Sequence, residues 1–357
     1  MAGVAPNPVG ASRRDGVVQE GMSLIADPVV GHQLPIKHGS AGPVSIGKRS
    51  AEVQLVVNPQ AGRGQGVAFI EPLLDALKAR AYRASVLVTE DRTHALRWAD
   101  ACQVPPDYLI CIGGDDTLDD LAPAAIRHQI PVIVVPTGFG NVCAQAFGHR
   151  AEIPAILELL ESGRRIDMDV GLRQGPNGDT GVFLAVTIYG FIETIKAMGE
   201  HGIDRGGGTR RTLGYLFATA KWLSPRQALP SVTVEVDGEM ITDGAALVVV
   251  ANVPVFPGKL VFTREANPLD GLLEVCVVTG DTKRALLFAL LSLLHDRPAG
   301  KHRILRRRGL MVRIAPVSPS GPAVPPSPNA WSETLTVLPR ALPVLVPPSE
   351  VWEGRRF

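Results

Sequence analysis

After residue 50, short apolar runs typical of strands alternate with apolar residues at the spacing of a helix. Residues 53–57 form a short β-branched run that stops at Asn58-Pro59, which predicts a buried strand followed by a turn. Apolar residues between 69 and 79 recur at helical spacing, which predicts a helix. Strands that alternate with helices are typical of a parallel sheet. The alternation predicts further strands over 85–88, 108–112 and 132–135, and further helices over 94–102, 118–128, 141–147 and 153–161.

The pattern changes near residue 166. Most apolar runs from 182 to 278 are short and strand-like, and turn residues such as Asp237-Gly238, a predicted hairpin turn, separate them. We therefore expect a second, mainly antiparallel domain. Its predicted strands include 232–236, 246–250 and 273–278, with two closing strands over 335–346 and core helices over 212–223 and 283–295.

These patterns divide the chain into four parts. Residues 1–50 show neither period, which predicts a flexible extension. An α/β domain is expected over 51–165 and the antiparallel domain over 166–334, with C-terminal strands and a tail over 335–357. Residues 318–328 are rich in proline and serine, which predicts a loop.

Composition and charge exclude several classes of partner. The 357 residues include 36 basic and 35 acidic side chains, a net charge of +1, so no overall field attracts nucleic acid. The longest apolar stretch, 285–294, is far below the roughly 18 residues that span a bilayer, so no transmembrane segment is expected. The four cysteines form no C-x-x-C pair and no secretory leader is apparent, which predicts reduced thiols in a reducing compartment. An anionic ligand must therefore be held by local features.

Three glycine-containing turns each follow a predicted strand of the first domain. We name them turn one (58–66), turn two (113–117) and turn three (136–141). Because the carboxyl ends of parallel strands share one edge of a sheet, we expect the three turns to converge on one crevice. Backbone N–H groups in such turns suit phosphate oxygens, although three tight turns without a ligand would carry the same residues. The candidate phosphate-binding residues are Gly62, Gly113, Gly114, Gly138 and Asn141.

Neither of the two common phosphate-binding motifs is present. The sequence has no G-x-x-x-x-G-K-[ST] segment, and the glycines of turn one lack the G-x-G-x-x-G spacing of dinucleotide-binding folds. A triphosphate would then be neutralised most simply by Mg²⁺ held by a carboxylate. The candidate carboxylates are Asp115, Asp116, Asp119 and Asp120. The eight histidines show no zinc-ligand spacing.

The motifs in these turns resemble one known family. Residues 58–62 resemble its N-P-x-x-G turn, 113–120 its G-G-D-G-T turn, and 136–148 its P-x-G-T-x-N-x-x-A-x-x-L-G segment. Residues 266–274 resemble its A-x-x-x-D-G-L-L-D segment, and 337–342 its C-terminal signature. Over about residues 52–348 the chain is therefore similar to the diacylglycerol kinase catalytic-domain family of lipid kinases, which includes bacterial lipid kinases and sphingosine kinases.

The resemblance implies a two-domain enzyme. An α/β nucleotide-binding domain with a parallel sheet, like that of NAD kinases and diacylglycerol kinases, would be followed by a mainly antiparallel β-sandwich that binds lipid, with ATP in the cleft between them. It implies a cytoplasmic enzyme that meets its lipid at the inner face of the membrane. The implied ATP contacts are Asn58, Thr89 and residues 114–120, including Thr117, and the implied structural Mg²⁺ ligands are Asn267, Asp270 and the Leu272 carbonyl.

Three positions depart from the family pattern. Asp116 replaces a glycine, and a carboxylate about 4 Å from phosphate costs on the order of 4 kcal/mol at an effective dielectric near 20. Phe139 replaces the threonine of G-T-x-N. The D-G-E motif, whose acid is the family's proposed general base, would fall on residues 324–326, which carry no ionisable group. The general base is therefore unassigned, and Glu333, the nearest acid, is a weak candidate that only a loop rearrangement would place at the site.

Two functions stay open at this point. The leading hypothesis is an ATP- and Mg²⁺-dependent kinase that phosphorylates the hydroxyl of a diacylglycerol or sphingoid-type lipid, with Asp115 orienting metal and phosphate. The alternative is a catalytically impaired pseudokinase that retains nucleotide or lipid binding. An NAD kinase or phosphofructokinase would share the G-G-D motif but leaves residues 141–148 and 266–274 unexplained. The basic run 303–308 suits either an anionic membrane surface or a solvated strand face.

Overall fold

The computed structural model describes residues 50–138, 140–190, 231–254, 263, 265–280, 282, 283, 285, 286, 289, 304–316 and 333–348. Four parallel strands form one part of the sheet, in the order β4-β3-β1-β2. Every residue of β3 is buried, because helices pack on both of its faces. These strands are β1 (Glu52–Val57), β2 (Arg83–Val88), β3 (Tyr108–Gly113) and β4 (Val132–Pro136).

Five helices accompany the parallel strands, as the helical spacing predicted. Residues of α1 and α5 share one apolar core with the sheet, and residues of α3 and α4 share the core on the other face. A 3₁₀ segment (Ala61–Phe69) leads from β1 into α1. The helices are α1 (Ile70–Ala79), α2 (Arg92–Ala101), α3 (Asp115–His128), α4 (Val142–Phe147) and α5 (Ile153–Ser162).

Nine further strands make up the antiparallel part that the described residues show. A hairpin joins β8 to β9 through Asp237 and Gly238, whose φ angles of 49° and 85° confirm the predicted turn. The inward side chains of these strands form a third apolar core. The strands are β5 (Arg164–Gln174), β6 (Thr180–Phe183), β7 (Val186–Gly190), β8 (Val232–Val236), β9 (Glu239–Ala251), β10 (Leu273–Thr279), β11 (Ile304–Gly309), β12 (Met311–Pro316) and β13 (Glu333–Val346).

The two strands predicted over 335–346 are one continuous strand, β13. Its pairing with β5 shifts between Leu338 and Leu342, and Arg340 takes a φ of 50° at this irregularity. Pro339 cannot donate a ladder hydrogen bond, but a bulge tolerates proline within a strand, and β13 continues through it. β13 pairs with β5 and β12 and also runs parallel to β4, so it joins the two parts of the sheet.

Several predicted elements lie outside the described residues. They include the extension up to residue 49, the helix over 212–223 and the loop over 318–328. Of the predicted helix 283–295, the described residues Lys283, Ala285, Leu286 and Ala289 are helical. Among the residues that the structure describes, no helix has the length and apolar character needed to cross a membrane. All four cysteines are free thiols, and only Cys102 is not buried.

Candidate functional site

The three glycine turns meet at the carboxyl edge of the parallel strands. A Cβ on Gly62 of turn one would lie 1.7 Å from the Thr137 carbonyl oxygen of turn three. A Cβ on Gly138 of turn three would lie 2.5 Å from the Gly114 Cα of turn two. The Gly138 N–H also donates to the Gly113 carbonyl at 3.2 Å. Backbone therefore packs directly on backbone, which glycine alone permits, and the turns converge as the parallel sheet predicted.

The N-terminus of α3 opens at this edge. Gly114 is its N-cap residue and offers no side chain that bonds to the first turn. The first N–H groups of a helix have no partner within the helix, and its dipole favours negative charge there. This 14-residue helix therefore presents N–H donors to an anion beside turns one and three.

Asp115 fastens turn two to the helix that follows turn three. Its Oδ2 accepts the Val142 N–H at 2.9 Å, and its Oδ1 accepts the Cys143 N–H at 2.8 Å. Both carboxylate oxygens thus bind the first amides of α4. The geometry makes Asp115 a positioning residue that holds the two turns in fixed relation.

Asn58 and Thr117 link turn one to turn two. The Asn58 Nδ2 donates to the Thr117 Oγ1 at 3.0 Å, and its Oδ1 accepts the Gln60 N–H at 3.0 Å. Thr89, at the end of β2, is buried and donates its hydroxyl to the Val57 carbonyl at 3.2 Å. The implied ATP contacts Asn58 and Thr117 thus lie together in the crevice, and Thr89 lies at the end of the neighbouring strand.

Asp116 is exposed in the first turn of α3. Its backbone takes the helical place of the family glycine, and its side chain faces solvent. An exposed carboxylate is largely screened by water, so the charge repulsion expected from the sequence is reduced. Phe139, the second departure, lies outside the described residues.

Two buried polar atoms of turn three have no hydrogen-bond partner. They are the Thr137 Oγ1 and the Asn141 Oδ1. Asn141 takes left-handed backbone angles of 49° and 40°, and its Nδ2 donates to the Gly138 carbonyl at 2.8 Å. Buried polar atoms normally have a hydrogen-bond partner. Unpaired ones beside turns one, two and three, which we together call the cradle, fit a site that receives a polar ligand. The Thr137 hydroxyl can donate to a phosphate oxygen, whereas the Asn141 Oδ1 can only accept and therefore suits a donor group or a cation that accompanies the phosphates.

The other two acids of α3 lie next to the three turns, where Asp120 is buried and Asp119 is partly buried. The Asp119 Oδ1 accepts the Leu184 N–H at 3.1 Å, and burial raises the pKa of Asp119 well above its usual range. Asp120 is 5% exposed. In the described part of the chain, no three His, Cys, Asp or Glu side chains come close enough to hold a metal ion.

A line of hydrogen bonds runs from this cradle to the turn 267–272. The Leu184 carbonyl, next to Asp119, accepts from the Asn252 Nδ2 at 3.0 Å, and the same Nδ2 donates to the Asp169 carbonyl at 2.8 Å. The buried Asp169 carboxylate accepts the Gly271 N–H at 2.6 Å and the Arg340 N–H at 2.8 Å. The sequence reasoning missed Asp169, although an acid in the middle of an apolar strand was the signal for it.

The turn 267–272 carries the implied structural metal ligands, and their oxygens already have partners. The Asn267 Oδ1 accepts the Leu269 N–H at 3.2 Å, and the Asp270 Oδ1 accepts the Leu272 N–H at 3.0 Å. The guanidinium of Arg308 contacts the Asp270 Oδ2. A cation next to Asp270 would meet this positive group at contact distance. These residues, as they are arranged, do not fit a magnesium ion.

Glu333 lies at the start of β13. One carboxylate oxygen accepts the Tyr189 hydroxyl, and the other lies 3.6 Å from the Arg173 Nε. Burial and this carboxylate raise the pKa of Tyr189. Residues 324–326, where the family base would fall, lie outside the described residues. Glu333 is thus held by partners on β5 and β7.

Two family models match consecutive parts of the sequence. Residues 52–172 match the diacylglycerol kinase catalytic domain, and residues 194–346 match the YegS C-terminal NAD kinase beta sandwich-like domain. The first match includes the four parallel strands and most of β5, the first antiparallel strand along the chain, and the second match includes β8 to β13.

Curated relatives and solved structures agree with these models. A diacylglycerol kinase of Mycobacterium tuberculosis (strain H37Rv) is 27% identical over 243 residues, 66% of this chain and 76% of that protein. An Enterobacter protein (strain 638) named "Probable lipid kinase YegS-like" is 24% identical over 254 residues, 69% of this chain and 81% of that protein. A crystal structure of a diacylglycerol kinase from Bacillus anthracis (strain Sterne) shares the fold, with a TM-score of 0.58 and 20% identity over 84% of this chain and 98% of that one.

The fold and the family models agree: a domain with a parallel sheet is followed by an antiparallel one, and each is matched by a model. The chain belongs to the diacylglycerol kinase catalytic-domain family of lipid kinases.

Proposed function

We propose that this protein transfers the terminal phosphoryl group of ATP to the hydroxyl of a lipid, of the diacylglycerol or sphingoid type. The lipid oxygen forms a bond to the γ-phosphorus, the bond from that phosphorus to the β,γ-bridging oxygen breaks, and ADP leaves. The hydroxyl proton is released to water, since no described side chain is assigned as the base. The observation that carries the proposal is the convergence of the three glycine turns on the uncapped N-terminus of α3. Family membership supplies the reaction class.

Phosphoryl transfer depends mainly on positioning and on charge stabilisation, and the described residues offer both. The N–H groups at the start of α3 and the glycine backbones of turns one and three would hold phosphate oxygens. Asp115 keeps α4 and turn three in place, and Asn58 does the same for turn one. Magnesium, when bound with the nucleotide, supplies positive charge to the transferring group.

The two parts of the chain would divide the work. We propose that residues 51–165 hold the nucleotide, that residues 166–334 hold the lipid, and that residues 335–357 close the second domain. Because the substrate resides in a membrane, the protein would meet it in the cytoplasm at the inner membrane face. We propose that Glu333 has a structural part in this domain, since Tyr189 and Arg173 hold its carboxylate.

The experiment is a phosphoryl-transfer assay with labelled ATP, Mg²⁺ and a mixed lipid extract. We expect wild-type protein to label a lipid and Asp115→Ala to lose about 100-fold in rate, because loss of both amide contacts displaces turn three. The control is Asp75→Ala, which removes an exposed carboxylate on α1 and leaves the rate unchanged. A thermal melt of each variant shows whether it is folded.

Two results would contradict the proposal. One is ATP binding by wild-type protein without transfer to any lipid, which would favour the impaired pseudokinase. The other is equal transfer by wild-type protein and a folded Asp115→Ala variant.

A further inference from the structure

An arginine lies where the family resemblance implies a divalent cation. Residues 267–272 form the turn before β10, and the implied ligands are the side-chain oxygens of Asn267 and Asp270 and the carbonyl of Leu272. The guanidinium of Arg308 contacts Asp270 from the neighbouring strand β11. This pairing was not apparent from the sequence, where Arg308 reads as one member of a basic run.

Strand register explains how Arg308 arrives at this turn. β11 pairs antiparallel with β10, and Arg308 lies opposite Glu274, only four residues after Asp270. Side chains alternate along a strand, so Arg306 and Arg308 share one face and Arg307 lies on the other. Arg306 interacts electrostatically with the buried Glu274.

Asp270 is the acid of this turn that the backbone satisfies only in part, through the Leu272 N–H. Asp169 and Asp270 interact electrostatically, and burial raises the pKa of Asp169 and of Glu274. The Asp169 carboxylate is satisfied by the amides of Gly271 and Arg340. Asp270 has one amide and the Arg308 guanidinium. Positive charge at this point stabilises the turn whether a metal ion or a side chain supplies it.

Magnesium demands nearly octahedral oxygen coordination, and a guanidinium in contact with Asp270 would repel a cation on the same carboxylate. Both Asp270 oxygens and the Asn267 Oδ1 already accept hydrogen bonds. We infer that the guanidinium of Arg308 takes the place of the structural divalent cation, so that this chain holds the turn 267–272 without a metal ion. The inference concerns the stability of the fold and does not depend on the proposed lipid kinase activity.

The test compares thermal midpoints of the nucleotide-free protein in EDTA and in millimolar Mg²⁺. We expect the Tm of the wild-type protein to be the same in both buffers. Arg308→Gln should melt about 2–4 °C lower in EDTA, the shift that corresponds to loss of one partly buried ion pair, and should recover part of this loss in Mg²⁺. In the double variant with Asp270→Asn, the recovery should disappear.

Arg307→Gln is the matched control, because Arg307 lies on the opposite face of the same strand and donates to the Arg306 carbonyl. It should melt like wild type in both buffers. If Arg308→Gln fails to fold, a second measurement replaces the melt: Mn²⁺ is titrated into the nucleotide-free wild-type protein and its binding is followed by paramagnetic resonance. We expect the wild-type protein and Asp270→Asn to bind the same amount of Mn²⁺, because Asp270 holds no metal ion.

Three results would overturn the inference. The first is a wild-type Tm or Mn²⁺ site that depends on the metal and is lost in Asp270→Asn, because the cation would then bind beside Arg308. The second is an Arg308→Gln variant as stable as Arg307→Gln. The third is an unstable Arg308→Gln variant that Mg²⁺ does not restore, because Arg308 would then be an ordinary ion pair and not a substitute for the cation.

Discussion

The cradle of glycine turns and the turn 267–272 differ in whether their polar side-chain atoms have hydrogen-bond partners. In the cradle, Thr137 and Asn141 each keep a buried oxygen without a partner, and the start of α3 has no side-chain cap. In the turn 267–272, the side-chain oxygens of Asn267 and Asp270 all have partners within the protein. Unsatisfied buried groups carry a free-energy cost that a ligand can remove, whereas satisfied ones stabilise the fold directly. The unpaired oxygens of the cradle fit a ligand-binding site, whereas the turn 267–272 satisfies its polar groups with partners from the protein.

The two regions are nevertheless mechanically connected. Asp119, Leu184, Asn252 and Asp169 form a hydrogen-bonded line between them, and β13 pairs with both β4 and β5. A change in either region therefore has to be tested for its effect on the fold as well as on the proposed activity.

The largest expected effect is the loss of stability in Gly62→Ala, which disrupts the contact between turns one and three. The new Cβ would lie 1.7 Å from the Thr137 carbonyl oxygen, and the position has a φ of 55°. We expect a loss of about 3 kcal/mol in the free energy of unfolding, measured by urea denaturation. Gly178→Ala is the control, since it has a φ of 80° and open space around it, and it should cost about 1 kcal/mol. Equal losses in the two variants would show that turns one and three do not touch.

The second-largest expected effect concerns His149, which connects β4 to β13, the strand that joins the two regions. Its Nδ1 accepts the Val134 N–H at 3.1 Å and its Nε2–H donates to the Leu345 carbonyl at 2.6 Å, so the neutral ring joins β4 to β13. Burial lowers the pKa of His149 to about 4. The unfolded chain therefore binds the extra proton between about pH 6.5 and pH 4, and stability falls as the pH is lowered through that window, by at most about 3 kcal/mol.

Urea denaturation from pH 7 to pH 4 measures this dependence. His149→Gln should remove the part of the pH dependence that comes from this ring, and His94→Gln, on the partly exposed side of α2, should leave it unchanged. The assignment fails if His149→Gln and wild type lose the same stability over this range.

The smallest expected effect concerns Asp116, the departure at the mouth of the cradle. Because its side chain is exposed, repulsion of a phosphate about 4 Å away is close to the value in water, about 1 kcal/mol. Asp116→Asn should tighten ATP binding by about five-fold at low ionic strength, and less at high salt. Calorimetric titration measures this, with Asp75→Asn as the control. Unchanged affinity would place the carboxylate away from the phosphates.

The fold was largely predictable because local patterns carry it. The β-branched run before Asn58, the apolar strand before Gly113 and the turn at Asp237-Gly238 each have a physical reason that needs no distant partner. The prediction of two strands over 335–346 was wrong, because whether a strand continues past a proline depends on the pairing strand β5, which lies far away in the sequence. The convergence of the three turns followed from the rule that parallel strands share an edge.

The candidate site was predictable in its residues but not in their contacts. The sequence placed Asp115 beside Gly114, yet only the fold shows both its oxygens bound to the first amides of α4. It also left Asp169 unremarked and the partner of Arg308 unidentified, because the partners of a charged side chain are set by strand register across long loops.

The sequence by itself determined the order of strands and helices, the positions of the glycine turns and the family motifs, since these depend on local periodicity and on residues at short spacing. Only the tertiary structure decided which polar atoms stay unpaired and which charges meet. Hydrogen bonds and ion pairs form between groups that the folded chain brings together, so Arg308 reaches Asp270, and the oxygens of Thr137 and Asn141 remain without partners.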